Sequence, residues 1–109
     1  MHNEYQSCIE ACSRCIVACE QCTTACLKEP HVHKLTGCIR LDIECATICR
    51  AAVQIMTLES NHANAVCQLC SDICTACAEE CEKHDHQHCK ECAAICRECA
   101  AECVSMTAA

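Results

Sequence analysis

The sequence predicts an all-α protein, an antiparallel up-down-up-down four-helix bundle with a cysteine-lined core. Nineteen of the 109 residues are cysteine. Most of them recur at alternating steps of three and four, which places them on one stripe of an α-helix. The chain has one glycine and one proline, too few turn residues for a many-stranded β fold. Phenylalanine and tryptophan do not occur, so small aliphatic side chains and thiols must fill the core.

The predicted helices follow the cysteine stripes in chain order, over 4–27, 33–57, 61–83 and 87–106. Alanine and glutamate recur between the cysteines, and both favour helices. In the second helix Asp42, Ala52 and Met56 occupy the remaining positions of the stripe. The cysteines are Cys8, Cys12, Cys15, Cys19, Cys22 and Cys26 in the first helix, Cys38, Cys45 and Cys49 in the second, Cys67, Cys70, Cys74, Cys77 and Cys81 in the third, and Cys89, Cys92, Cys96, Cys99 and Cys103 in the fourth.

The breaks between helices are short and fall at 29–31, 58–61 and 83–86. Asn3, paired with Gln6, and either Ser60 or Asn61 are the predicted N-caps. Helices joined by short loops pack antiparallel with their apolar stripes inward. We therefore expect residues 1–109 to form one domain whose core is a column of thiols.

Composition excludes several classes of protein. A net charge of −7 argues against nucleic-acid binding, which needs clustered lysine and arginine. No apolar run approaches the roughly 20 residues of a membrane span. The N-terminal residues contain no export signal, so the expected location is the cytoplasm. The odd cysteine count and the regular spacing argue against a disulfide framework.

The spacing and number of the cysteines indicate that the chain binds Cu(I). Eight pairs are of the form CxxxC, so their two thiols lie one above the other on a helix face. Thiolates favour soft ions. Cu(I) carries one charge and accepts two or three sulfurs, so nineteen thiolates can hold roughly 16–20 ions with a nearly neutral interior. Zinc needs about four thiolates per ion and leaves about −2 at each buried site.

Three other functions stay open at this stage. A zinc or general soft-metal reservoir for detoxification would hold four or five divalent ions. A thiol redox sensor or enzyme needs a few cysteines distinguished by pKa and exposure, and no catalytic residue stands out here. A copper chaperone would bind a single ion. Packing alone explains one or two buried cysteines, but not nineteen.

The two ends of the predicted bundle differ in chemistry. The first and third loops lie at the same end and are rich in histidine, so we expect copper to enter there. His84, which continues the stripe of the third helix beyond Cys81, is the first predicted histidine ligand and His88 the second, ahead of His31, His33 and His86. Tyr5, Met56 and Met106 extend the stripes at the opposite end, where a hydrophobic plug is expected. Asp42 could order a histidine, carry protons released by thiols or face solvent.

The whole chain resembles the cytosolic copper storage proteins of bacteria. The resemblance rests on the CxxxC ladders, on Gly37-Cys38-Ile39-Arg40-Leu41-Asp42 and on the stretch from Cys81 to Cys89. It implies a four-helix bundle that stores many Cu(I) ions on core cysteines and assembles as a homo-oligomer, usually a tetramer. Exported relatives carry a twin-arginine signal, which this sequence lacks.

Overall fold

A computed structural model describes residues 4–107 and contains the four expected helices. They are α1 (Gln6–Leu27), α2 (Thr36–Thr57), α3 (Ala63–Glu82) and α4 (Gln87–Thr107). A short 3-10 helix, Val32–Leu35, precedes α2. The described part of the chain holds no strand, so the prediction of an all-α four-helix fold is confirmed.

Sulfur contacts give the direction of each helix. Cys8 near the start of α1 lies 3.4 Å from Cys103 near the end of α4. Cys26 near the end of α1 lies 3.9 Å from Cys89 near the start of α4, so these two helices run in opposite directions. The same reversal relates α1 to α2 and α2 to α3 through the pairs Cys22–Cys38, Cys15–Cys45, Cys38–Cys81 and Cys49–Cys70.

The bundle is long and thin because its core side chains are small. Its principal extents are 46 × 19 × 19 Å. Alanines flank the cysteine stripes and are themselves buried, among them Ala11, Ala46 and Ala78, which allows the helices to approach closely. Met56 and Asp42 are the largest fully buried side chains. The core is therefore a thiol column with one carboxyl group inside it.

Three helix starts differ from the prediction. The first α-helix begins at Gln6 rather than 4. The second α-helix begins at Thr36 rather than 33, because the 3-10 helix first turns the chain and buries Leu35. The third helix begins at Ala63 with His62 as N-cap. The expectation that Ser60 or Asn61 caps it is wrong: the Ser60 hydroxyl instead accepts the His62 backbone N–H at 3.0 Å, within the preceding turn. The other predicted cap, Asn3, lies outside the described residues.

The turn after α2 contains a left-handed residue. Glu59 has φ of 53°. Its N–H donates to the Met56 carbonyl, and the Ser60 N–H donates to the Ile55 carbonyl. This is the Schellman arrangement, in which glycine usually occupies the left-handed position.

No helix among residues 4–107 combines the length and apolar character that crossing a membrane requires.

Candidate metal centre

All nineteen cysteines are buried and none forms a disulfide. The heptad spacing places each thiol on the inward face of its helix, so the four stripes meet along the bundle axis. Neighbouring sulfurs contact one another along most of this length. The shortest contact, 3.2 Å, joins Cys38 and Cys81. The thiol column predicted from the spacing is therefore present, with every cysteine contributing to it.

The thiols of the column gather into groups of four whose sulfurs all lie within 4.8 Å of one another. Some groups include a CxxxC pair, and others take one cysteine from each helix. The sulfur arrangement therefore crosses between helices as well as running along them. Among these groups are Cys12, Cys49, Cys70 and Cys99; Cys15, Cys49, Cys74 and Cys99; Cys15, Cys19, Cys45 and Cys96; Cys19, Cys77, Cys92 and Cys96; and Cys22, Cys26, Cys38 and Cys89.

The sulfur separations suit a thiolate-bound metal. In the group nearest the histidine-rich end, four sulfur pairs are each 3.9 Å apart: Cys22–Cys26, Cys22–Cys38, Cys26–Cys89 and Cys38–Cys89. A metal–sulfur bond of about 2.3 Å gives a sulfur separation of about 4.0 Å in trigonal and about 3.8 Å in tetrahedral coordination. Distance fits both Cu(I) and zinc. Charge separates them, since only a monovalent ion leaves a multi-ion thiolate core nearly neutral.

Asp42 is enclosed by thiols, which excludes the possibility that it faces solvent. Its side chain is 0% exposed. One carboxyl oxygen lies 3.3 Å from the sulfurs of both Cys77 and Cys92. Cys81 and Cys38 are close by, at 3.7 and 3.8 Å. Burial away from water raises the pKa of Asp42 to about 10, with Cys92 and Cys77 adding to the effect, so it is a neutral acid at pH 7.

The thiols nearest the histidines also keep their protons at neutral pH. Burial raises the pKa of Cys26 to about 11, and the nearby Cys38 adds to this. Burial raises the pKa of Cys89 as well. A metal ion must displace these protons because thiolates, not thiols, are the ligands. Exchange of one proton for one Cu(I) leaves the charge inside the bundle unchanged.

The α1–α2 and α3–α4 links and the start of α4 bring together a polar cluster at one end of the bundle, here called the mouth, consisting of Glu29, His84, His86 and His88. Glu29 belongs to the α1–α2 link, yet its carboxylate lies 3.3 Å from His86 and 3.0 Å from His88. The two imidazoles stack with their centroids 5.2 Å apart. The expectation that the first and third loops share one end therefore holds in the structure.

His88 faces the thiol column directly. Its Nδ1 lies 3.6 Å from the sulfur of Cys89 and 3.8 Å from those of Cys22 and Cys26. Within residues 4–107, no other histidine has a ring nitrogen hydrogen-bonded to a thiol. His84 lies nearby on the α3–α4 link, and its Nε2 is 2.9 Å from the Glu80 carboxylate. Of the two histidines predicted from sequence, His88 is thus the one in contact with the cysteines.

The opposite end of the column is closed by apolar side chains. Met56 is 0% exposed, and Tyr5 and Met106 pack against the buried cluster while partly reaching the surface. These are the three residues that extend the cysteine stripes at this end. Their packing agrees with the apolar plug expected at this end.

Two glutamates that contact histidines of the mouth, Glu80 and Glu29, do not emerge from the sequence reasoning. Glu80 precedes His84 by four residues, a spacing that places both on one helix face, so this pair was detectable. The lack of a side chain at Gly37 leaves room for the Glu80 carboxylate, because a Cβ at position 37 would lie 3.2 Å from it. The pairing of Glu29 with His88 spans 59 residues and carries no local signal.

Fold and site together define a class of protein: a four-helix bundle whose core is a reservoir of ligands for a soft metal ion. The family model described as "Csp: Copper storage protein" matches residues 1–108. The chain belongs to this copper storage protein family, as the sequence resemblance indicates.

Individual relatives agree with the family. The chain is 52% identical to the uncharacterized cysteine-rich protein YhjQ of Bacillus subtilis over 88 residues, 81% of this chain and 82% of the relative. It is similar to the Cu(I)-bound copper storage protein BsCsp3 of Bacillus subtilis, with 52% identity, a TM-score of 0.91 and coverage of 95% and 99% of the two chains. A cytosolic copper storage protein from Streptomyces lividans, loaded with five coppers, is 41% identical with a TM-score of 0.94 over 96% and 92%.

Proposed function

We propose that this chain stores and buffers Cu(I) in the cytoplasm, with all nineteen cysteines as ligands. The observation that carries the proposal is the continuous thiol column, in which every cysteine is buried beside others. The chain's family is one of copper storage, a binding function without turnover. The cytoplasmic location is supported by the name of the Streptomyces relative.

The CxxxC pairs act with partners from other helices. Within helices, the sulfurs of Cys15 and Cys19 are 3.9 Å apart. Some contacts between helices are shorter, as between Cys45 and Cys74 at 3.4 Å. A copper ion that takes two or three sulfurs can therefore combine a CxxxC pair with a thiolate of a neighbouring helix. Bridging thiolates then link successive ions along the column.

Copper enters and leaves at the mouth, where His88 and His84 receive it. Imidazole binds Cu(I), and His88 is one contact away from Cys22, Cys26 and Cys89. The apolar packing at the other end supports a single entrance. We expect His84→Ala and His88→Ala to slow copper transfer while leaving the number of bound ions nearly unchanged. Unchanged transfer rates in the double variant would remove the mouth from the proposal.

The decisive test of storage is an anaerobic titration of the reduced protein with Cu(I) in competition with a chromophoric chelator. A break at roughly 16–20 ions per chain is expected from nineteen thiolates. A break at one or two ions would reject storage and leave most cysteines as packing. A parallel zinc titration addresses the second candidate, a zinc reservoir, which the sulfur separations in the group of Cys22, Cys26, Cys38 and Cys89 also fit. Four or five tightly held zinc ions, together with weak copper binding, would replace the first proposal by the second.

We further propose that residues 1–109 act as one domain and that chains associate as homo-oligomers, with a tetramer as the expected size. Apolar side chains on the outer surface support association, since Val17, Ile43 and Leu69 are each at least half exposed. Light scattering of the purified protein measures the mass directly. A monomeric mass at micromolar concentration would contradict the oligomer.

A further inference from the structure

The structure of the mouth points to a role for Glu29, a residue that binds no copper in the proposal above. We infer that Glu29 is the positioning residue of His88: it fixes the imidazole as the Nε2–H tautomer, so that Nδ1 presents its lone pair to copper beside the thiols. This inference rests on the proposed function and deepens it, because it names what prepares the entrance for the ion.

The two nitrogens of His88 face different partners. Nε2 lies 3.0 Å from the Glu29 carboxylate, whereas Nδ1 faces the sulfurs of Cys89, Cys22 and Cys26 at 3.6–3.8 Å. A carboxylate accepts hydrogen bonds, so the proton of a neutral imidazole must be on Nε2 for this contact to be favourable. Nδ1 is then left without a proton and is free to bind a metal.

The arrangement matches what metal-binding histidines generally require. A carboxylate that holds the second ring nitrogen fixes the orientation of the ring and raises the basicity of the nitrogen that binds the ion. Glu29 lies in the α1–α2 link and His88 in the first turn of α4, so their contact also joins two separate elements across the mouth. His86 shares the same Glu29 oxygen at 3.3 Å and stacks on His88, which further restricts rotation of the His88 ring.

Burial makes the contact with Glu29 selective. The side chains of Glu29 and His88 are 26% and 23% exposed, so water competes for the His88 nitrogen less than it would at an open surface. His84 forms a similar contact with Glu80 on its own helix, without a hydrogen-bond contact to a thiol. Of these two glutamate–histidine pairs, the Glu29–His88 pair is therefore the one whose imidazole contacts the thiol column.

The test combines a spectrum of the copper-free protein with copper kinetics. Long-range proton–nitrogen NMR of the ¹⁵N-labelled, reduced protein reports which His88 nitrogen carries the proton, and it requires no copper. We expect Nε2–H in the natural chain and a mixture of tautomers in Glu29→Ala. Transfer of Cu(I) to and from a chromophoric chelator is expected to slow about tenfold in that variant, the usual scale for such outer contacts, with the titration break unchanged.

Matched variants separate positioning from charge and from folding. Glu91→Ala removes a negative charge from an exposed position of the first turns of α4 without touching an imidazole, and its transfer rates should equal those of the natural chain. Glu29→Gln keeps a carbonyl oxygen that can accept the Nε2–H and should restore most of the tautomer preference. Adding Glu29→Ala to His88→Ala should cause no further slowing, because the histidine through which Glu29 acts is already absent.

Three results would overturn the inference: an unchanged tautomer in Glu29→Ala, an unchanged transfer rate, or equal slowing by Glu91→Ala. These results differ from a failure of the storage proposal. A low copper break in the natural chain removes storage whatever the tautomer, whereas a full break with an unchanged His88 tautomer removes only the role of Glu29.

Discussion

Replacing Asp42 by asparagine should change how the stability of the copper-free protein depends on pH. The asparagine side chain would keep the size and most of the polar contacts of a protonated aspartic acid but could not ionise. The groups that face Asp42 are all thiols, from each of the four helices: Cys22, Cys38, Cys77, Cys81 and Cys92. No cation among the described residues offsets a negative charge at this position, so burial favours the neutral form.

The magnitude follows from the difference in proton binding between the folded and unfolded chains. Asp42 has a pKa of about 10 when folded, against an ordinary value of 3.8. Between these two values the folded state holds a proton that the unfolded state has released, so unfolding becomes easier as pH rises. The slope is about 1.4 kcal/mol for each pH unit. From pH 6 to pH 8 the natural chain should lose about 2.7 kcal/mol relative to Asp42→Asn.

The assay is urea unfolding of both reduced chains, without oxygen, at pH 6, 7 and 8. The difference between the chains cancels the titration of thiols that they share. Asp72→Asn, which removes an exposed carboxylate from α3, controls for the loss of one negative charge. A difference in unfolding free energy that stays constant across this range would refute the reasoning, because Asp42 would then carry its charge inside the thiol column.

Two further substitutions test the column and the turn after α2. Cys49 contacts Cys70 at 3.7 Å and belongs to two of the four-thiol groups named above, so Cys49→Ala should lower the number of copper ions at the titration break by about one or two. Ser71→Ala, at another buried position, is the control. An unchanged break in Cys49→Ala would contradict the role of Cys49 as a shared ligand. Glu59→Gly should raise the unfolding free energy by about 0.5–1 kcal/mol, because it relieves the left-handed backbone at φ 53°. In contrast, Glu79→Gly within α3 should lower the unfolding free energy by about 1 kcal/mol. If urea unfolding shows that both variants are less stable than the natural chain, the argument for backbone strain at Glu59 is refuted.

The sequence was sufficient to predict the fold and the position of the thiols, because both follow from one periodicity. A cysteine every three or four residues determines the inward face of each helix whatever the details of packing. Asp42 also occupies a stripe position and is buried, although the sequence alone left open whether it faces solvent. Its ionisation state does not follow from the periodicity, because that depends on which side chains from the other three helices surround it.

The loops were less predictable, because their structure depends on individual hydrogen bonds. Ser60 looks like an N-cap in sequence, but its hydroxyl bonds within the turn and the helix starts at Ala63. At the mouth, spacing alone ranked His84 first, since it continues the α3 stripe beyond Cys81. The structure places His88 against the thiols instead, through a contact with Glu29 that joins residues far apart in the chain.

The chemistry of the column explains how one fold can serve both the empty and the filled protein. Without metal, burial raises the pKa of thiols such as Cys26, so these thiols are protonated and neutral at pH 7, and buried thiols pack as small apolar groups that also contact one another. Each Cu(I) that enters replaces about one proton, so the interior stays nearly neutral as ions accumulate. A divalent ion would add charge to be balanced at every site, whereas a monovalent ion does not. The bundle therefore needs no rearrangement to compensate charge as copper accumulates.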